Sequence, residues 1–166
     1  MTTRTRVLHV GNAAESSGGI ASVIRGHLAR ELPGFAMGSI VTHLPRATAA
    51  IRIRVWFVAL SRIAKARPRG IVHVHLAQRG SLLREGLAVA LARTAGHRVV
   101  VTLHGSGLMT AGPLQSAVLR LVCARAHVVH GYAERYRSRF GIPATRWARI
   151  PNDVAIPDRS RLRTQG

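Results

Sequence analysis

Short apolar segments alternate along the chain with longer segments in which apolar residues recur at helical spacing. The first short segment, Arg6–Gly11, ends in glycine and has the pattern of a buried strand. Gly18 and Gly19 then lead into Ile20–Leu32, which has helical spacing and ends before Pro33. The same alternation continues through the rest of the sequence. It predicts strands at Gly38–Leu44, Ile71–His75, Arg98–His104, His127–His130 and Trp147–Ile150, and helices at Ala47–Ala66, Ser81–Thr94, Pro113–Ala126 and Ala133–Phe140.

Strand–helix alternation of this kind predicts a mainly parallel sheet with right-handed crossovers and helices on both faces. The expected fold class is therefore α/β, a single Rossmann-like domain of three layers. In such sheets, ligands bind beyond the carboxyl ends of the strands, near the point where the strand order reverses. The segments expected at that edge are Gly11–Gly19, His75–Gly80, His104–Gly112 and Gly131–Tyr132.

The length and composition fit one folded domain in a reducing compartment. The chain has 166 residues, of which 47% are apolar, enough to fill one core. Cys123 is its single cysteine, which excludes a disulfide framework within the chain. The longest apolar runs, Val55–Leu60 and Leu87–Ala92, are far shorter than the ~20 residues that span a bilayer. The first residues also lack the apolar stretch of a secretory signal, so we expect a cytoplasmic protein.

The charge is strongly unbalanced, with 25 basic and 6 acidic residues. A surplus of this size favours an anionic partner such as a nucleotide, a nucleic acid or an anionic membrane. Abundant arginine and alanine beside a single lysine, Lys65, are equally typical of GC-rich coding, in which most arginines have no binding role. A single-stranded nucleic acid would need aromatic side chains among the basic ones. The seven aromatic residues are scattered, which argues against a nucleic-acid partner.

The first strand-end loop, Gly11–Gly19, has the chemistry of a phosphate site. Glycines allow close backbone approach, and the helix that follows offers free N–H groups and the positive end of its dipole. Ser16 and Ser17 add hydroxyl donors. The glycine spacing does not match the dinucleotide fingerprint, and the loop lacks the lysine of a P-loop. A plain turn with two glycines is the alternative interpretation.

Nine histidines are an unusually high number for a chain of this length. His73 and His75 lie two apart in a predicted strand and therefore share a face. Such a pair can ligate metal, but a metal site needs further ligands. Among the acidic residues we expect only Glu15 at the strand-end edge, and Cys123 lies in an apolar helix. We therefore expect a packed His73 and no metal.

His104 differs because it ends a predicted strand directly before Gly105, Ser106 and Gly107. We expect it at the ligand-facing edge of the sheet, where it could donate hydrogen bonds or titrate near neutrality. The glycine–serine–glycine sequence lacks the spacing of a nucleophile elbow, and no nucleophilic triad is recognisable.

The predicted helix around residues 50–67 allows two interpretations. An apolar arc and a basic arc lie on opposite sides, as expected for a helix packed on the sheet with a solvated basic face. The other interpretation is a surface helix that contacts anionic lipid. The apolar arc comprises Ile53, Trp56, Phe57, Leu60, Ile63 and Ala64, and the polar one comprises Arg54, Ser61, Arg62 and Lys65.

Five motifs in order make the chain resemble the N-terminal, acceptor-side domain of the family-four glycosyltransferases, which are retaining enzymes of GT-B fold. The resemblance covers roughly residues 4–157. The motifs are RVLHVG at Arg6–Gly11, SGGI at Ser17–Ile20, IVHVH at Ile71–His75, VTLHG at Val101–Gly105, and FGIP with IPNDV within Phe140–Val154.

The resemblance implies transfer of a sugar from a nucleotide-diphosphate sugar to a small molecule or lipid-linked glycan, without a tightly bound cofactor. Gly18 and Gly19 would lie by the donor diphosphate, and His104 beside the transferred sugar. Backbone N–H groups and basic side chains would neutralise the diphosphate without a metal. The other strand-end residues are candidates for the acceptor site or the cleft: Asn12, Ser17, His75, Arg79, Gly105 and Ser106.

The sequence also departs from the family. Asp153 replaces the usual glycine of the IPNGV segment, and no two glutamates lie eight positions apart. We therefore expect residues 1–157 to form one half of a GT-B fold, residues 158–166 to be a basic flexible tail, and the C-terminal nucleotide-sugar domain to come from a partner polypeptide in trans. A non-catalytic basic module on a membrane or an acidic partner, and a truncated inactive relative, are the alternatives.

A half-cleft should expose the face that its second domain covers. We expect binding to a second polypeptide, or self-association, through Gly11–Gly19 and His104–Gly112, with His104, Leu108 and Met109 exposed. If the protein works at a membrane, its cytoplasmic location would place it at the inner face of that membrane.

Overall fold

A computed structural model describes residues 4–78 and 80–149. The strands and helices follow the predicted alternation closely. The strands are β1 (Thr5–Asn12), β2 (Phe35–His43), β3 (Ile71–Leu76), β4 (Arg98–Leu103), β5 (Val128–Gly131) and β6 (Trp147–Arg149). The helices are α1 (Gly19–Leu28), α2 (Ala49–Lys65), α3 (Gly80–Thr94), α4 (Pro113–Arg125) and α5 (Glu134–Phe140), and 3-10 turns occupy Ser106–Thr110 and Ala144–Arg146.

The six strands form one sheet in the order β2-β1-β3-β4-β5-β6, with every neighbouring pair parallel. The predicted α/β class and parallel sheet are confirmed, and the domain is Rossmann-like. The strand order reverses between β1 and β3, so the switch point lies where these two strands end. Ile150, the predicted last residue of β6, lies outside the described residues.

The two faces of the sheet differ in chemistry. Side chains alternate across a strand, so β3 directs Val72 and Val74 to one face and His73 and His75 to the other. The valines belong to the apolar core, which also includes Ala88 and other buried side chains of α2, α3 and α4. The core therefore fills one face, and the opposite face carries the histidines.

Helix α1 packs on the histidine face, over β1 and β2. A methyl group on Gly11 would lie 3.1 Å from Ile24 Cδ1 of α1 and 3.4 Å from His75 Cβ. Gly11 thus allows α1 to lie close to the sheet at the strand-order switch. The helix ends at Leu28, earlier than the predicted Leu32.

The predicted apolar face of α2 is partly wrong. Ala59 and Ile63 are buried, whereas Ile53 and Phe57 are 56% and 59% exposed. The reason is that α2 packs over the edge strand β2 and beside α3, which offers a narrower contact surface than the centre of the sheet. Within the described residues, every helix is too short or too polar to cross a membrane.

Candidate functional site

A row of histidines crosses the sheet on the face that α1 partly covers. His9 of β1 and His73 of β3 are register partners, and His75 follows on the same face of β3. His104 comes directly after β4, and His130 lies on β5 with its ring centroid 5.6 Å from that of His73. The sequence indicated the β3 pair and His104. It gave no sign of His9, because the strand order that brings β1 beside β3 is not visible in a sequence pattern.

Three of these histidines and one tyrosine form a continuous hydrogen-bonded chain toward the carboxyl edge. His9 Nδ1 lies 3.1 Å from His75 Nε2. His75 Nδ1 lies 3.0 Å from His104 Nε2, and His104 Nδ1 lies 3.1 Å from the Tyr132 hydroxyl. We call His9, His75, His104 and Tyr132 the imidazole row. Each neutral imidazole has one N–H and one lone pair. All hydrogen bonds of the row can therefore point in the same direction, with each ring accepting from one neighbour and donating to the next.

Burial keeps the imidazole row uncharged. It lowers the pKa of His9 and of His104 to about 4, with a smaller contribution from nearby His27. It also lowers the pKa of His75 well below the ordinary value, and there His73 and His104 contribute next. Of the two roles considered for His104, this lowered pKa favours hydrogen bonding over titration near neutrality, because a buried imidazolium has lost its hydration.

His104 reaches the predicted edge of the sheet but is largely enclosed there. It is 8% exposed, and both of its ring nitrogens are engaged by His75 and Tyr132. Tyr132 is only half-buried and is therefore the outermost member of the row. Sequence reasoning included Tyr132 in a strand-end segment but assigned it no role, although a tyrosine that follows a strand can carry a hydroxyl to the edge.

The first strand-end loop leads into the amino-terminal end of α1 at Gly18 and Gly19. Gly18 precedes the helix with φ of 119°, and no side chain caps it. The Ser16 hydroxyl donates to the Ala13 carbonyl at 2.7 Å, so it folds back into the loop. Gly18 and Gly19 are exposed, and a methyl group on Gly19 would meet no heavy atom within 4 Å. The space beside the start of α1 is therefore not filled by the described residues.

The remaining candidate residues divide by exposure. Ser17, Gly105 and Ser106 are exposed, and Asn12 is half-buried where β1 ends. His75 is buried and acts within the imidazole row rather than at the surface. Gly105 has φ of 88°, and its carbonyl accepts a hydrogen bond from Tyr136. Arg79 lies outside the described residues.

The predicted apolar surface at the loop after β4 is absent from this part of the chain. Leu108 is 1% exposed and belongs to the core, and Met109 is half-buried. The cause is the 3-10 turn Ser106–Thr110, which directs Leu108 inward. Exposed large apolar side chains of the described residues lie instead mainly on α2, α3 and α4: Ile51, Ile53, Phe57, Val58, Leu83, Leu87, Leu114 and Leu121.

A buried carboxylate is a further residue that sequence reasoning missed. Glu85 of α3 is almost fully buried, and its Oε1 accepts hydrogen bonds from Thr42 at 2.7 Å and Arg84 at 2.9 Å. Burial raises its pKa, and the bonds from these partners oppose the rise. The Thr42 hydroxyl also lies 3.0 Å from the Gly11 carbonyl, so this group connects α3 to β1 and β2. Glu15, the expected acidic residue of the edge, is exposed in the first loop.

Comparison with models of protein families gave no match, and comparison with curated proteins gave no significant match. The resemblance to family-four glycosyltransferases therefore depends on the ordered motifs alone.

Proposed function

We propose that the carboxyl edge of this sheet is the acceptor-side half of a sugar-transfer site. Two features at the same edge support the proposal: the imidazole row that ends at Tyr132, and the uncapped start of α1 at Gly18 and Gly19. The row carries the greater weight, because a buried, neutral hydrogen-bonding chain that leads to an open edge has the chemistry to orient a sugar hydroxyl. The donor is a nucleotide-diphosphate sugar, and the acceptor is a small molecule or lipid-linked glycan.

Gly18 and Gly19 are assigned to the leaving diphosphate. Helix N-termini bind phosphate because their first N–H groups lack intrahelical partners and the helix dipole favours negative charge. The open space around Gly19 permits a phosphate oxygen to approach the backbone. Basic side chains would add neutralising charge.

His104 is assigned to the sugar through hydrogen bonds rather than charge. As a neutral ring it donates one hydrogen bond and accepts another. Tyr132 is the member of the row that meets the sugar first, and His104 holds its hydroxyl in one orientation. A fixed donor of this kind can stabilise charge that develops in the transition state.

The donor half of the site is assigned to a second Rossmann-like domain. A GT-B cleft lies between two such domains, and the described residues form one. In this proposal the second domain supplies the nucleotide contacts, and the described domain supplies the acceptor side and the diphosphate contacts of α1.

The diphosphate assignment can be tested on the chain by itself with inorganic pyrophosphate. We expect pyrophosphate to shift the backbone amide signals of residues 18–21 in heteronuclear NMR spectra. Gly19→Ala should weaken this binding by about fivefold, the effect of about one hydrogen bond, because the added methyl group blocks the approach. Gly26→Ala is the matched control, since it adds a methyl group with nothing within 4 Å in the same helix. Equal affinity for both variants would contradict the assignment.

A second candidate function, a basic module that binds an anionic membrane, is favoured by one surface. A cavity between α2 and α3 is lined by apolar side chains such as Ile53, Leu83 and Leu87 together with Arg52 and Arg84. Apolar side chains beside guanidinium groups suit a bilayer interface. This surface is compatible with sugar transfer to a lipid-linked acceptor as well as with binding alone.

A further inference from the structure

Three histidines from three different elements converge beneath α1. His9 comes from β1, His73 from β3 and His27 from α1. One ring nitrogen of each lies within 4.8 Å of the others, and the ring centroid of His9 is 4.9 Å from those of both His27 and His73. For comparison, two imidazole nitrogens on one tetrahedral zinc ion lie about 3.4 Å apart, given the usual bond length. The three nitrogens would therefore have to approach one another by up to about 1.4 Å to bind one zinc ion.

One buried nitrogen of this cluster has no hydrogen-bond partner among the described residues. His9 is 1% exposed. Its Nδ1 is engaged by His75, whereas its Nε2 has no partner in residues 4–78 and 80–149. Buried polar atoms are nearly always paired, because an unpaired one costs free energy. A ligand at this position would supply the partner that Nε2 lacks.

The two strand histidines are held in the manner of metal ligands. Metal-binding histidines usually engage their second ring nitrogen with a neighbouring group, which fixes the ring. His9 does this through Nδ1 to His75 at 3.1 Å. His73 does it through Nε2 to the Thr102 hydroxyl at 2.7 Å, so Nδ1 is the nitrogen of His73 that would bind a metal.

We propose that His9, His27 and His73 bind a divalent transition-metal cation of the zinc class. Three imidazoles suit zinc, copper or nickel, whereas calcium and magnesium require oxygen ligands. The expectation of no metal was based on the ligands visible around β3 in the sequence. The strand order adds His9, and the packing of α1 adds His27.

Burial disfavours the charged imidazolium form of His9 and of His73 and lowers the pKa of both rings. Neutral imidazole is the form that binds metal.

A metal on His9 would also set the direction of the imidazole row. With Nε2 bound to metal, His9 carries its hydrogen on Nδ1 and donates to His75. His75 then donates to His104, and His104 donates to the Tyr132 oxygen, which leaves the tyrosine hydrogen to point outward. If Tyr132 meets the sugar, as the proposed function has it, the metal would fix a donor at the reaction centre.

The test uses the untagged 166-residue chain, freed of metal and titrated with Zn²⁺ against a chromophoric chelator. We expect one zinc ion per chain. His27→Gln should weaken binding at least about 100-fold, since loss of an outer-shell partner alone costs 10–100-fold. His43→Gln is the matched control, because His43 is also half-buried but lies outside the cluster, and it should leave the affinity unchanged. Circular dichroism verifies that both variants are folded.

The proposal is overturned if less than one zinc binds, or if the two variants bind zinc equally. Imidazole ¹⁵N signals give a second measurement on the unaltered chain. Zn²⁺ should shift the signals of His9 Nε2 and His73 Nδ1, and unchanged signals would also overturn the site. Neither measurement depends on pyrophosphate binding at α1, so the metal site and the proposed function can fail separately.

Discussion

His104 illustrates at the residue scale how a position can be predictable while its state is not. The sequence places it at the carboxyl end of β4, and the structure agrees. Its neutral state comes from neighbours more than 25 positions away along the chain, His75 and Tyr132, which enclose it. Long-range packing of that kind follows from strand order and register, which the local pattern does not contain.

Acid should destabilise the metal-free chain through the buried imidazoles. The folded pKa of His104 is about 4, against an ordinary value of 6.5. Between these two pH values the unfolded chain takes up a proton that the folded chain does not. The contribution of neutral His104 to the free energy of unfolding is therefore fully present above pH 6.5 and is lost as the pH falls toward 4. One such group contributes a slope of up to about 1.4 kcal/mol per pH unit. Urea unfolding at a series of pH values should show that the free energy of unfolding depends less steeply on pH in His104→Gln than in the unaltered chain. Equal slopes would contradict the neutral state assigned to buried His104.

Gly131 is required where β5 ends because Trp147 covers it. A Cβ atom on Gly131 would overlap Trp147 Cη2. Gly131→Ala should therefore lower the free energy of unfolding by about 1–3 kcal/mol, the usual cost of overpacking. Gly112→Ala is the control, since a Cβ atom there would meet nothing within 4 Å. Chemical denaturation measures the free energy of unfolding of both variants. If the two substitutions lower it by the same small amount, the Trp147 ring moves aside and Gly131 is not required.

At the scale of elements, α2 shows the limit of helical periodicity. The predicted helix agrees with the structure within two residues at its start and one at its end. Periodicity placed Ile63 correctly on the buried face, but it also placed Ile53 and Phe57 there, because it does not say which neighbour an apolar side chain faces. Ile53 and Trp56 line a cavity whose other walls are α3 and the end of the edge strand β2.

The exposed apolar side chains of α2 should bind anionic membranes. We expect the chain to co-sediment with vesicles that contain phosphatidylglycerol and much less with vesicles of phosphatidylcholine alone. The double variant Ile53→Ser and Phe57→Ser should bind these vesicles about tenfold more weakly, since each of the two side chains contributes apolar area to the bilayer interface. Because both are exposed, the fold should be little affected.

The control for this experiment is the double variant Leu114→Ser and Leu121→Ser. These two leucines of α4 are exposed apolar side chains, like Ile53 and Phe57 of α2. Their replacement should leave vesicle binding unchanged. If the α4 double variant binds vesicles as weakly as the α2 double variant, membrane binding is not localised to α2. The assignment of α2 as the membrane surface is then wrong.

At the scale of the whole molecule, the α/β alternation sufficed to predict the fold class and most element limits. Continuous apolar strands and the glycines or prolines that end helices are local signals, and they are reliable in this chain. The strand order with β1 beside β3 is a long-range property, and it creates both the imidazole row and the contact of His9 with His73. The sequence therefore indicated the edge of the sheet, but not the network of side chains that leads to it.

The most direct test of the central claim is sugar transfer itself. The 166-residue chain is assayed for release of nucleoside diphosphate and transfer of sugar, alone and with candidate donor-side domains such as one encoded by a neighbouring reading frame. We predict little or no transfer by the chain alone, transfer when a matching donor-side domain completes the cleft, and a loss of about 10²–10³-fold in turnover for His104→Ala. Robust transfer by the chain alone, or full turnover with His104→Ala in the completed cleft, would contradict the account.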